Sequence, residues 1–340
     1  MSLFLAVLIS LAAAVIPTLI YALAFYWVDR YEREPLWLVV VAFLWGAVPA
    51  VVVSLLGELI IGTPFVNAPG SVAEGLVSSA LVAPVVEELA KGVALWAIYR
   101  FRRQEFDGVL DGLVYGALIG FGFAMTENFL YFIGAFSQGG LATLTLVIYL
   151  RSIVFGLNHA FYTALFGIGL GLARQSPSRQ RGRLWAGLGL AGAILTHSLH
   201  NFGAGITAIN GLGFLLSLGL AALGVGLIGL AILLAWQQER RWIQEELAEE
   251  VGTFLSPEEY RGLTRGWRRS PLLSRRHNPS HAKRLGLLVE LAFRKHRLRR
   301  LGPQREASIE RQVQELRERI EQELKGQNDR AAREGEPGET

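Results

Sequence analysis

The 340-residue sequence contains no cysteine. That absence removes disulfides, thiolate metal sites and a cysteine nucleophile from consideration. No basic segment precedes the first apolar run, Leu3 to Val28, and the run is too long for the core of a cleaved signal. It reads instead as a retained first span. Charge is sparse and balanced over residues 1–236, where 11 Lys/Arg meet 11 Asp/Glu, whereas residues 237–340 carry 22 and 18. The net +4 therefore resides in the C-terminal part. A modestly basic tail beside a bilayer suits anionic headgroups, and nucleic acid is not an expected partner.

Apolar residues fill the space that charge leaves. The chain is 51% hydrophobic with 38 glycines, and its mean hydropathy is +0.35. A soluble domain rarely carries so much apolar surface, so the expected class is an all-α, polytopic transmembrane helical bundle. Seven runs approach or exceed the roughly 20 residues needed to cross a bilayer, at about 3–28, 36–61, 72–100, 108–135, 141–173, 183–209 and 211–236. The fifth is too long for one simple span, and a tilt or a break near Arg151–Gly156 would accommodate it. Helices are required because every backbone polar group in lipid must be bonded internally. With seven spans, Arg30 and Arg33, Arg100 to Arg103, Arg174 to Arg183, and Arg240 and Arg241 all fall on one side. The positive-inside rule then puts the N-terminus outside and the tail in the cytoplasm. Close-packing pairs of small residues recur at Gly116 and Gly120, Gly167 and Gly171, and Gly189 and Ala193.

Domain boundaries follow the same composition: a transmembrane domain over 1–236, a cytoplasmic helical domain over 237–325, and a polar, disordered tail over 326–340. Within the second, Ser256-Pro257-Glu258-Glu259 has the form of a capped helix start. Ile309, Val313, Leu316, Ile320 and Leu324 form one apolar stripe on a helix over about 304–325. Such a tail packs on itself, on the membrane or on a cytoplasmic partner.

The informative residues are the polar ones inside the apolar runs. Glu87, Glu88 and Lys91 lie near the middle of the third run. Charge in hydrocarbon is costly and is kept where it faces protein and has a task. Adjacent carboxylates diverge by about 100° on a helix, so one can face a reaction centre while the other pairs with Lys91, three or four residues on. A purely structural ion cluster is the plainer reading, although two carboxylates and one ammonium leave an excess negative charge. Glu127 and Asn128 lie in the fourth run, His159 in the fifth, and His197, His200 and Asn201 in the sixth. Each alone could be an interhelical hydrogen bond. Together they suit two chemistries. A carboxylate and a histidine can activate water while a second histidine and Asn201 stabilise an oxyanion. Alternatively Glu127, His159 and His197 can bind zinc, leaving a fourth position for water. Arg151 receives no role.

These residues resemble those of the PrsW-type intramembrane proteases, related to the CAAX-prenyl endopeptidase group. The shared features are EExxK (Glu87, Glu88, Lys91), FxxxE (Phe123, Glu127), a later histidine (His159), HxxxN (His197, Asn201) and an Asp29…Glu32-Arg33-Glu34-Pro35 segment. The resemblance spans roughly residues 20–205 and implies hydrolysis of a peptide bond in a membrane-anchored, anti-sigma-factor-like substrate, in a bacterial plasma membrane. It further implies that Glu87 and His159 activate water and that His197 and Asn201 stabilise the oxyanion. Glu88 and Glu127 complete the expected catalytic set, and Lys91, Asn128 and His200 support it. Glu127 stands where the CAAX group has histidine, which leaves the metal question open. Two other classes compete. A proton- or cation-coupled transporter would use the same residue types, although such proteins often carry internal repeats and none is evident in this sequence. A non-catalytic scaffold would act through the tail.

Overall fold

In the computed structural model the described residues are 2–334 apart from Arg30, Glu32, 63–71, 266–278 and 303–307. Among them the regular structure is helical, with no strand beyond an isolated bridge at Val251 and Leu255. Two compact units are present, Met1–Asp29 with Glu34–Ile232 and Arg30–Arg33 with Leu233–Thr340.

The first unit contains α1 (Leu3–Tyr26), α2 (Leu36–Trp45), α3 (Val51–Gly62), α4 (Val72–Val77), α5 (Ala83–Phe101), α6 (Val109–Ile148), α7 (Asn158–Gln175), α8 (Arg179–Ile206) and the start of α9 (Leu212–Leu247). Single π-helical turns join α2 to α3 (Gly46–Ala50), α4 to α5 (Ser78–Val82) and follow α6 (Tyr149–Val154). Four helical stretches are long and apolar enough to cross a membrane: Leu3–Tyr26, Leu36–Ile61, Val109–Gln175 and Leu212–Glu250. The third, at 67 residues, far exceeds the roughly 20 that one crossing needs. It breaks at Gly139–Gly140, where Gly140 has φ 63°, a left-handed conformation natural to glycine. It breaks again after the π-turn at 149–154, within the window the sequence offered. The polar residues of α5 and α8 keep those two helices out of the apolar set.

Small residues set the helix spacing. On α1 the buried face is Ala6, Ser10, Ala14, Thr18 and Ala22, one small side chain per turn, and it packs on α6. A Cβ on Gly112 would lie 2.1 Å from the Gly167 carbonyl oxygen, and one on Gly120 would lie 2.3 Å from that of His159. The α6–α7 seam thus brings two backbones into direct contact, and van der Waals packing of this kind holds helices together in lipid. Gly116, Gly120, Gly167 and Gly171 all take part in that seam, and Gly189 meets Gly169 between α8 and α7.

The second unit contains the end of α9, α10 (Pro257–Arg265), α11 (Pro279–Leu301) and α12 (Ser308–Glu334). The α10 start is a reciprocal capping box: Glu259 N–H donates to Ser256 Oγ at 3.1 Å, and Ser256 N–H donates to Glu259 Oε2 at 2.8 Å. Ile309, Val313, Leu316 and Ile320 are buried against Leu288, Leu291 and Ala292 of α11, with Leu324 partly covered. Helix α12 continues through Glu334, past the Gly326 boundary expected for a disordered tail, while 335–340 lie outside the described residues.

Candidate active site

Helix α5 continues directly from the π-turn Ser78–Val82, with Pro84 as its second residue. Glu87, Glu88 and Lys91 follow on its buried face, and the Lys91 side chain is fully enclosed. Lys91 Nζ lies 2.6 Å from Glu88 Oε1 and 3.6 Å from Glu87 Oε2. Its ammonium also sits 4.2 Å from the Phe123 ring centroid. The two carboxylates differ in their contacts. Glu88 is saturated by Lys91, by the Thr163 hydroxyl at 3.1 Å and by His197 Nδ1 at 3.0 Å. Glu87 Oε2 is buried without a hydrogen-bond partner.

The two histidines reach the same place from α7 and α8. His159 follows the break after the π-turn at 149–154, and its Nε2 lies 2.7 Å from Glu127 Oε2. His197 stacks on the Tyr162 ring at 4.6 Å and meets the His159 ring edge-on at 5.1 Å. Its Nε2 lies 3.8 Å from Glu87 Oε2. Glu87, His159 and His197 each offer a ligand atom within 4.8 Å of the others. Glu127, the carboxylate of the zinc alternative, meets His159 Nε2, and Glu87, which the resemblance pairs with His159, lies beside both histidines.

Hydrogen bonding defines what each ring presents. A carboxylate holds one nitrogen of each histidine, Glu127 on His159 Nε2 and Glu88 on His197 Nδ1. A proton shared with a carboxylate leaves a lone pair on the other ring nitrogen. His159 Nδ1 and His197 Nε2 are therefore the acceptor atoms; Lys91 Nζ stands 3.3 Å from the first. Carboxylate-backed imidazoles around an unpartnered buried carboxylate oxygen are the usual surroundings of a bound metal ion. The charges agree. Glu87, Glu88 and Glu127, with Glu58 nearby, face Lys91 and Arg151, so ionised carboxylates outnumber the cations. The donor set therefore fits a divalent cation.

The remaining expected residues lie around this core. Asn128 Oδ1 accepts from Arg151 Nε at 2.8 Å. His200 pairs with Asn158 Nδ2 at 3.2 Å and packs edge-on against Phe155, apart from the metal-ligating grouping. The Asn201 amide donates to the Ser79 carbonyl at 2.8 Å, in the π-turn ahead of α5. Sequence reasoning missed Tyr162, Thr163 and Arg151. Thr163 is four residues beyond His159 and shares its helix face, which is the signal that could have found it.

The sequence pattern of the family described as PrsW family intramembrane metalloprotease matches residues 34–237. The chain belongs to this family. It is 29% identical to Protease PrsW of Geobacillus kaustophilus (strain HTA426) over 176 residues, 52% of this chain and 72% of that protein. Against Protease PrsW of Bacillus subtilis (strain 168) the figure is 29% over 192 residues, 56% of this chain and 81% of that protein. The Clostridioides difficile (strain 630) Protease PrsW is 28% identical over 192 residues, 56% of this chain and 76% of that protein. No solved structure matches. The activity is that of the family, intramembrane proteolysis, and the family is one of metalloproteases. All the carboxylates, histidines and cations of the grouping fall inside the matched region; most of the second unit lies beyond it.

Proposed function

We propose that Glu87 is the reacting carboxylate of this protease and that Glu87, His159 and His197 hold its metal, with zinc the ion best suited to two imidazoles and one carboxylate. A bound zinc ion would supply Lewis acidity and an acidified water. The observation carrying this reading is that both histidines are backed by a carboxylate and each offers a nitrogen within 4.8 Å of Glu87, whose Oε2 is buried without a hydrogen-bond partner. Glu88 and Glu127 have cations at 2.6 and 2.5 Å, whereas the nearest cation to Glu87 is 3.6 Å away. Glu87 is thus the carboxylate least committed to ion pairing and the one free to ligate the ion. Lys91 holds Glu88, and Glu88 holds His197. A lone pair on His197 Nε2 suits a ligand better than an oxyanion donor. Asn201 joins α8 to the turn ahead of α5, a positioning contact.

The substrate is a membrane-anchored protein whose scissile bond must reach a site enclosed by α5, α6, α7 and α8; a single-span anti-sigma factor is the kind that the family resemblance suggests. Seven spans with the N-terminus outside and the tail inside, in a bacterial inner membrane, fit the distribution of Lys and Arg. The second unit is a cytoplasmic module that binds a partner or a second copy. Metal analysis of the purified chain tests the centre. About one equivalent of zinc is expected in the wild type, with loss in His159→Ala and His197→Ala. Full occupancy in either variant would refute the ligand assignment.

A further inference from the structure

Arg151 stands in an apolar stretch with no task assigned by the motifs, yet it is among the most tightly fixed polar residues of the first unit. It lies on the π-turn Tyr149–Val154, and α1 holds that turn at two points: Ser152 Oγ donates to the Ala13 carbonyl at 3.0 Å, and the Tyr21 hydroxyl donates to the Ser152 carbonyl at 3.0 Å. From there the guanidinium reaches three neighbours on α6. Nη2 donates to Glu127 Oε2 at 2.5 Å, Nε donates to Asn128 Oδ1 at 2.8 Å, and the group lies 3.8 Å from the Tyr131 ring centroid.

Neutralising Glu127 would need one of these contacts. Three of them fix the guanidinium plane, which lets arginine hold a carboxylate in one orientation as lysine does not. The oxygen so held, Glu127 Oε2, is also the one that meets His159 Nε2 at 2.7 Å. We propose that Arg151 is a positioning residue for His159: by clamping Glu127 it keeps the imidazole proton on Nε2 and fixes the plane of the ring beside Glu87 and His197. The idea rests on the reading of Glu87, His159 and His197 as the metal-holding centre. Asn128 and Tyr131 then serve the same end by holding Arg151. Through the π-turn, α1 also supports the site.

The test uses the full-length chain in detergent, with zinc affinity read by chelator competition and with kcat and KM read separately on a transmembrane peptide substrate. Arg151→Lys keeps the charge but not the fork. It is expected to weaken zinc binding by about 10- to 100-fold, the usual effect of removing an outer partner of a metal ligand, and to lower kcat with little change in KM. Guanidinium ion at sub-denaturing concentration is expected to restore part of both losses in Arg151→Ala. In a Glu127→Gln background, Arg151→Lys should cost nothing further, since both act through one contact. Wild-type zinc affinity in Arg151→Lys would overturn the proposal, as would a full additional loss in the double variant. Should Arg151→Ala fail to fold, the lysine variant and the double variant still decide. His159→Ala separates the two levels. If it keeps wild-type zinc and turnover, the centre itself is wrongly assigned. If it loses them while Arg151→Lys does not, only the positioning role fails.

Discussion

At the scale of single residues, the site is a contrast between three carboxylates. Glu88 and Glu127 are held by cations and imidazoles, and Glu87 keeps a buried oxygen without a hydrogen bond. Glu87→Gln is isosteric and should leave folding intact while abolishing most of the turnover, because an anionic ligand of the metal is lost. Glu88→Gln should behave differently. It strips the fully buried Lys91 of its nearest anion, and breaking a buried pair typically costs about 3–5 kcal/mol. A marked fall in thermal unfolding temperature is expected for Glu88→Gln and little change for Glu87→Gln. Equal destabilisation by both would contradict the division of labour. The EExxK spacing suggested such a division, although Lys91 Nζ lies 2.6 Å from Glu88 and 3.6 Å from Glu87. Which carboxylate joins the histidines stays open in the sequence, since the resemblance pairs Glu87 with His159 whereas the zinc alternative takes Glu127. Glu127 and Glu87 lie at similar depth in their runs, and only the packing phase of α5 against α7 and α8 tells them apart.

At the scale of elements, glycine and π-turns aim the side chains. Gly120 packs directly on the His159 carbonyl, so Gly120→Val should force α6 and α7 apart. A loss of about 1–3 kcal/mol is expected from overpacking, together with loss of turnover, since His159 and Glu127 sit on the two separated helices. Unchanged stability in thermal unfolding would count against the seam. The small-residue spacing pointed to these contacts in the sequence. The π-turns did not show there: one extra residue in a turn shifts the helical phase without altering apolar composition, so hydropathy passes over it. For that reason Arg151 remained unassigned.

In the second unit the capping box predicts its own pH dependence. Burial pushes the Glu259 carboxyl up, but the Ser256 N–H and Arg284, aided by His281, outweigh it and hold it below the ordinary carboxylate range. A depressed folded value means that the contribution is present at neutral pH. It is lost as pH falls from the ordinary range, about 4.3 for glutamate, through the lowered folded value. The stability difference between wild type and Glu259→Gln should therefore be largest near neutrality and shrink on acidification. A difference that grows toward acid would refute the assignment.

At the scale of the whole molecule, the absence of cysteine becomes a tool. Single cysteines at Asn210 and Arg179 fall on opposite sides of the proposed seven-span arrangement. Cys at 210 should react with an impermeant maleimide in intact cells, and Cys at 179 only after permeabilisation. The reverse pattern would invert the topology. Membrane character and an all-helical build were legible from composition alone, because apolar runs of this length have no other stable form in lipid. The number of crossings was less so, since α5 and α8 carry the polar residues that make the site and so read as weaker spans.

The central claim is that this chain cuts membrane-anchored protein through Glu87. Its most direct test compares membrane proteomes of cells carrying the wild type with those of cells carrying Glu87→Gln at equal expression. The account predicts at least one single-span protein that is full-length with Glu87→Gln and shortened with the wild type. Identical proteomes across growth and envelope-stress conditions, with both proteins present and folded, would contradict it.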